Sequence, residues 1–166
     1  MRSDEIAAHA RRFFPDTFSA RDEATVIVER ERLLDALAWL RDEPELQMGF
    51  LSSLTSTDHP GSDPRFWVAY ELRSMPLRHR IRVKVGLRED DPHVPSVTPL
   101  FPTANWFERE VFDLFGVVFD GHPDLTRILM PEDWEGHPLR RDEELGGVNT
   151  RYRGAFIPPV DTRGMA

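Results

Sequence analysis

The side chains with chemical potential cluster between Asn105 and Arg141, in the stretch NWFEREVFDLFGVVFDGHPDLTRILMPEDWEGHPLRR. Glu110 and Asp113 fall on one helical face, an arrangement open to general acid–base work. Arg109 stands four residues before Asp113, so an intrahelical ion pair accounts for the same residues without any reaction. His122 and His137, flanked by Asp120, Asp124 and Glu135, supply the donor types of a metal site. Both histidines precede prolines, however, and neither belongs to a helical His-x-x-x-His pair, so structural histidines in a packed segment are expected. Ser52, Ser53 and Ser56 have no G-x-S-x-G elbow around them. Gly146-Gly147 lacks the strand–turn–helix setting of a phosphate loop. The expectation is a chain with no catalytic, cofactor-binding or metal-binding residues of its own.

The elements that must position these residues begin with a helix. Asn105 reads as its N-cap, with Glu108 three residues later closing a capping box. Phe107, Val111, Leu114, Phe115 and Val118 form an apolar stripe at helical spacing. Arg109, Glu110 and Asp113 share the opposite arc with Trp106, and charges on so crowded a helix must be paired or meet a partner. Beyond Asp120-Gly121 the chain loses its period. His122-Pro123, Met130-Pro131 and His137-Pro138 each impose an extended residue before proline. Leu125, Ile128, Leu129, Met130 and Trp134 are too many large apolar groups for a solvated loop, so this segment lies against its own domain or another chain. Trp134 reads either as an interface anchor or as part of a satellite cluster within the chain.

The remaining sequence supplies a scaffold. A chain of 166 residues holds one domain with a real core plus an extended tail. With no cysteine there is no disulfide, thiolate metal site or iron–sulfur cluster within the chain. A net charge of −8 and a pI near 5.2 argue against a general nucleic-acid or anionic-membrane binder. No apolar run approaches bilayer-spanning length, and Met1–Ala10 lacks a signal-peptide core, so membrane association is expected only through partners. Residues 4–14 read as an amphipathic helix and 24–28 as a strand. A Leu33/Leu34/Leu37/Leu40 helix follows over 29–41, then strands over 50–57, 66–72 and 81–87. Ile81, Val83, Val85 and Leu87 alternate with Arg82, Lys84 and Gly86, one face inward and one outward. Residues 74–79 suit a hairpin, and 90–102 a proline-rich linker. The predicted fold is α+β, a two-layer domain over 1–138 whose mixed β-sheet packs against helices. Residues 139–166 have scattered apolar groups and no core of their own. They form an extended C-terminal arm, either disordered or folded along a partner.

One resemblance is carried by many residues at fixed spacing: Glu108-Arg109-Glu110, Asp113, Phe115-Gly116, Phe119, Gly121 to Leu125, Arg127, Pro131-Glu132-Asp133 and Gly136 to Arg140. With Pro95 to Thr98, Arg65–Leu72 and Phe50–Asp58 upstream, residues 45–141 resemble the hydrophilic, 30-kDa-type subunit of respiratory complex I. The chain departs from the family pattern at Thr126 and at Glu143-Glu144-Leu145. The resemblance implies a scaffold subunit of the peripheral arm of NADH:quinone oxidoreductase, on the cytoplasmic side of a bacterial membrane. FMN and Fe–S clusters would reside in partner subunits. The implied partners are the large quinone-pocket subunit and neighbouring Fe–S subunits, with no nucleic acid. Trp106, Arg109, Glu110, Asp113, His122, Arg127, Trp134, His137, Arg140 and Arg141 are the expected subunit-interface residues, and Arg109 the expected bridge between carboxylates of two chains. The nearer alternative is the equivalent subunit of a membrane-bound hydrogenase or of a deazaflavin- or ferredoxin-dependent quinone reductase. The distant one is a stand-alone metal-dependent hydrolase using Glu110, Asp113 and the histidines.

Overall fold

The computed structural model describes residues 1–143. In chain order it contains α1 (Ser3–Ala10), β1 (Thr17–Ala20), β2 (Glu23–Ile27), α2 (Leu33–Asp42) and β3 (Phe50–Asp58). Then come β4 (Phe66–Ser74), β5 (His79–Leu87), β6 (His93–Pro95), α3 (Ala104–Phe115) and β7 (Val118–Asp120). Five strands form one sheet in the order β1-β2-β5-β4-β3. The β2–β5 pair is parallel and the other pairs are antiparallel. The sheet is therefore mixed, and the architecture is α+β.

Alternation along β5 sends Ile81, Val83, Val85 and Leu87 into the core. On β4 the matching residues are Phe66, Val68, Tyr70 and Leu72. On β3, Leu51 and Leu54 are both buried although three residues apart. A register shift between Leu51 and Ser53 inserts the extra residue that makes this possible. Leu33, Ala36, Leu37 and Leu40 of α2 and Ile6, Ala7 and Ala10 of α1 join the same core, as do Val111, Leu114 and Phe115 of α3. The opposite sheet face carries a charge ladder, in which Arg82 binds both Glu71 and Glu23.

Four local features differ from the sequence expectation. Regular helix in α1 stops at Ala10 instead of reaching residue 14, although Phe14 is still buried. Strand β1 has no clear local signal, because Arg21-Asp22 replaces the usual Asn-Gly pair in the hairpin turn. Both turn residues hold left-handed backbone, at φ of 53° and 60°. The helix read over 29–41 begins with a 3-10 turn at Arg30–Arg32 before α2. The expected linker over 90–102 contains β6, which pairs in parallel with β7 through contacts that local sequence does not announce.

Candidate functional site

Helix α3 is buried on one side and wrapped on the other. Its N-cap is Thr103, two residues earlier than expected, and no side chain caps it. It ends at Phe115 because Gly116 turns left-handed at φ 73°. A side chain at Gly116 would run into His137 and Arg140. Val118 consequently leaves the helical stripe and enters β7.

The chain after β7 folds back across the exposed side of α3, and Asp113 is the anchor. Its fully buried carboxylate accepts the backbone N–H groups of Ile128, Leu129 and Met130 at 3.0, 2.7 and 2.9 Å. Arg127 adds a charged donor at 2.7 Å. The predicted Arg109–Asp113 ion pair does not form, since four donors from the crossing segment surround the carboxylate instead. Burial pushes the Asp113 carboxyl upward, but the Met130 N–H, the Arg127 guanidinium and the Leu129 and Ile128 N–H groups outweigh it and hold the group below its ordinary value. Arg109 instead donates to the Thr126 and Arg127 carbonyls at 3.1 and 3.2 Å. Its guanidinium also lies over the Trp106 ring, 5.2 Å from the centroid.

The same segment satisfies the orphaned carbonyls at the end of α3. His137 Nδ1 and Arg127 donate to the Asp113 carbonyl. The Leu139 N–H donates to Leu114, and Arg140 Nε to Phe115 at 2.6 Å. Placing two guanidinium groups at a helix C-terminus also complements the helix dipole. Burial and the nearby Arg140 and Arg127 charges hold His137 below its ordinary pKa, against the hydrogen bond to Asp113.

At the other end of α3 lies Glu108, which closes no capping box. It is fully buried, accepting the Val97 N–H and the Ser96 hydroxyl at 2.7 Å each. Burial drives its pKa up to about 7, with these two bonds opposing. Sequence spacing held the signal: Ala104, Val111 and Phe115 lie four before, three after and seven after Glu108, which places it inside the buried stripe. Burial, with the nearby Glu108 charge, also pushes the Tyr70 hydroxyl well above its usual value. His122 packs beside Glu108, 3.9 Å from its carboxylate. His122 Nδ1 accepts the Asp124 N–H, leaving Nε2 to donate to the Asn105 carbonyl.

The expected interface residues thus divide. Asp113, Arg127, His137 and Arg140 fasten the segment to α3, and His122 fastens its start to the other end. His122 and His137 bond carbonyls eight residues apart, roughly 12 Å along the helix, and do not converge. Among the described residues no group of three or more His, Asp or Glu side chains is placed to hold a metal ion. Trp106 is 61% exposed, Glu110 is exposed, and Trp134 is half-buried. Leu125 and Met130 pack on the core, whereas Leu129 faces outward. The Arg141 N–H donates to Asp58, which is itself bound to the buried Arg65 at 2.7 Å. Arg65 also meets Glu89 and Asp142, so residues 139–143 lie against the domain. Sequence reading missed the Arg65 cluster, whose only sign was a charge opening an apolar strand. The arm from residue 144 onward lies outside the described residues.

Residues 26–149 match the family described as "Respiratory-chain NADH dehydrogenase, 30 Kd subunit". An NADH-quinone oxidoreductase subunit of Salinispora arenicola (strain CNS-205) is 50% identical over 144 residues, covering 86% of this chain and 59% of that protein. The like-named subunit of Roseiflexus castenholzii is 56% identical over 132 residues, covering 80% and 76%. This chain therefore spans about three-fifths of the length of the Salinispora relative. Among solved structures, the trypsin-resistant fragment of Nqo5 superposes with a TM-score of 0.63 at 34% identity, over 73% of this chain and 97% of that one. A chain of the membrane-bound sulfane sulfur reductase, an archaeal respiratory membrane complex, superposes with a TM-score of 0.71 at 25% identity, over 85% of each chain.

Proposed function

This chain belongs to the respiratory-chain NADH dehydrogenase 30 Kd subunit family, and we propose that it serves as a scaffold subunit in the peripheral arm of a proton-translocating NADH:quinone oxidoreductase. The observation that carries the reading is the commitment of the charged groups of 105–141. The Asp113 carboxylate is filled by four donors, and Arg109, Arg127, His137 and Arg140 hold the chain's own carbonyls. These contacts stiffen an irregular segment and leave Trp106, Glu110 and Leu129 pointing outward. A rigid surface with an exposed aromatic beside polar groups suits docking to another subunit.

In this reading the large quinone-pocket subunit and the neighbouring Fe–S subunits are the partners. They carry the FMN and Fe–S clusters that pass electrons from NADH to quinone. No helix among the described residues is long and apolar enough to cross a membrane, and the subunit sits peripherally on the cytoplasmic face through those partners. Arg109 positions Trp106 and the 126–127 turn for the neighbouring chain. A second reading, the equivalent subunit of a related respiratory membrane complex with another electron donor, is favoured by the likeness to the sulfane sulfur reductase chain.

The test is affinity purification of the tagged chain from its native membranes in mild detergent. Flavin- and cluster-bearing partners with NADH:quinone reductase activity are expected, with Trp106→Ala reducing their recovery. Partners that reduce sulfur compounds or evolve hydrogen would transfer the chain to the second reading. A monomer without partners would overturn both.

A further inference from the structure

Most of the described arginines have a carboxylate, a carbonyl or a ring to bind, but Arg73 and Arg78 on the β4–β5 hairpin have no carboxylate partner. Between the start of α1 and the β4–β5 hairpin lies an open groove of about 630 Å³. Arg2, Arg73, Arg78 and Arg80 line it together with one carboxylate, Asp22, and Arg2 is also paired with Glu5 on α1 at 3.6 Å. Asp22 is already engaged by the Ser3 hydroxyl at 2.9 Å. Among the described residues, Arg73 and Arg78 lie within salt-bridge distance of no carboxylate. Arg80 reaches only Glu23, at 3.4 Å, and Glu23 holds Arg82 more closely at 2.9 Å.

The strand register sharpens the anomaly. Arg73 and Arg80 are direct cross-strand partners, and like charges placed opposite one another destabilise a sheet. Arg78 sits in the hairpin turn with φ at 53°, a conformation that fixes its position at the tip. This cation-rich strip belongs to a chain whose net charge is −8. Apolar groups are exposed in and beside the groove: Met75, in its lining, is 69% exposed, Leu77 of the turn is exposed, and so is Phe50, which opens β3 opposite Arg73.

We propose that this groove is a docking site for an acidic segment of another protein chain, with apolar side chains of that segment seated on Met75, Leu77 and Phe50. Arg2 at the N-cap of α1, the cross-strand pair Arg73 and Arg80, and Arg78 in the turn all line the one groove. Such a strip suits an extended peptide with spaced carboxylates, each taken by an arginine fork. Apolar neighbours provide the anchor that charge alone does not. The site lies at the far end of β4 and β5 from the Arg65 cluster, so it is independent of the surface proposed on α3.

The test is a fluorescence titration of the full chain with a labelled synthetic peptide alternating glutamate and leucine, at low salt. Its glutamine–leucine counterpart is the control, and tripolyphosphate and phosphatidylglycerol vesicles are separate probes. Binding of the acidic peptide alone is expected, weakening at least tenfold in the Arg73→Gln/Arg78→Gln variant and unchanged in Arg88→Gln, whose arginine pairs with Asp90 elsewhere. Melting of the double variant at or above the wild-type temperature would show that it is folded, since one member of a repelling pair is gone. If it does not fold, Arg78→Gln alone at the exposed turn makes the same comparison. Equal affinity in wild type and variant, or binding of vesicles or tripolyphosphate without the peptide, would overturn the proposal.

Discussion

Glu108 and Asp113 stand five residues apart on one helix, both carboxylates fully buried, yet they are pushed in opposite directions. The difference lies partly in depth, since Glu108 sits farther inside the protein, and partly in what each receives. Asp113 has four donors, one of them a guanidinium, all delivered by residues 127–130. Glu108 has two donors, both neutral, from Ser96 and Val97. Burial raises both groups, and only at Asp113 do donors and charge exceed it. A buried acid can thus be a charged anchor or a group poised to hold a proton near neutrality, depending on donor supply together with depth.

The largest break in this comparison is Asp113→Ala. It leaves three backbone N–H groups without their acceptor and takes the carboxylate from Arg127, which keeps only the Asp113 and Gly136 carbonyls, and should cost about 3–5 kcal/mol. Urea unfolding should show that loss, together with faster proteolysis within residues 121–143. A cost below about 1 kcal/mol would mean that the segment is held by its apolar contacts. Because the Asp113 pKa is lowered, its contribution is present above the ordinary value of 3.8 and disappears as pH falls through the lowered one.

Glu108 should show the opposite sign. Its folded pKa lies above the unfolded value of 4.5, at about 7. Stability is therefore highest while the group is protonated and declines as pH rises from 4.5 to 7, by roughly 3 kcal/mol. Glu108→Gln should remove that slope and make the protein more stable than wild type at about pH 8. Chemical denaturation of both proteins across this range decides the matter, and equal slopes would refute the assignment.

The smallest expected effect sharpens the donor argument. Ser96→Ala removes one of the two donors to Glu108 and should cost about 1 kcal/mol above neutrality. It should move the pH-dependent decline upward. An unmoved decline would show that the Val97 N–H alone sets the group's behaviour.

The same donor logic separates what is legible in the sequence from what is not. The alternation of β5 and the leucines of α2 define their elements directly, because apolar spacing alone decides which face is buried. The inward place of Glu108 is also legible in its spacing from Ala104, Val111 and Phe115, but the capping-box pattern offers a local alternative. Sequence spacing pairs Asp113 with Arg109 because that pairing needs only helical geometry. The actual donors to Asp113 come from an irregular stretch whose prolines and glycines fix no period.

What the sequence by itself determined was the α+β layering, the position of α3, and the concentration of chemical groups between residues 105 and 141. Those features follow from local propensity, burial periodicity and turn chemistry. Only the tertiary structure decided that residues 127–130 surround Asp113, that His137, Leu139 and Arg140 cap α3, and that Arg65 gathers Asp58, Glu89 and Asp142. Hydrogen bonds across long chain separations depend on where irregular backbone passes, and that path is set by competition among all buried donors and acceptors for partners at once.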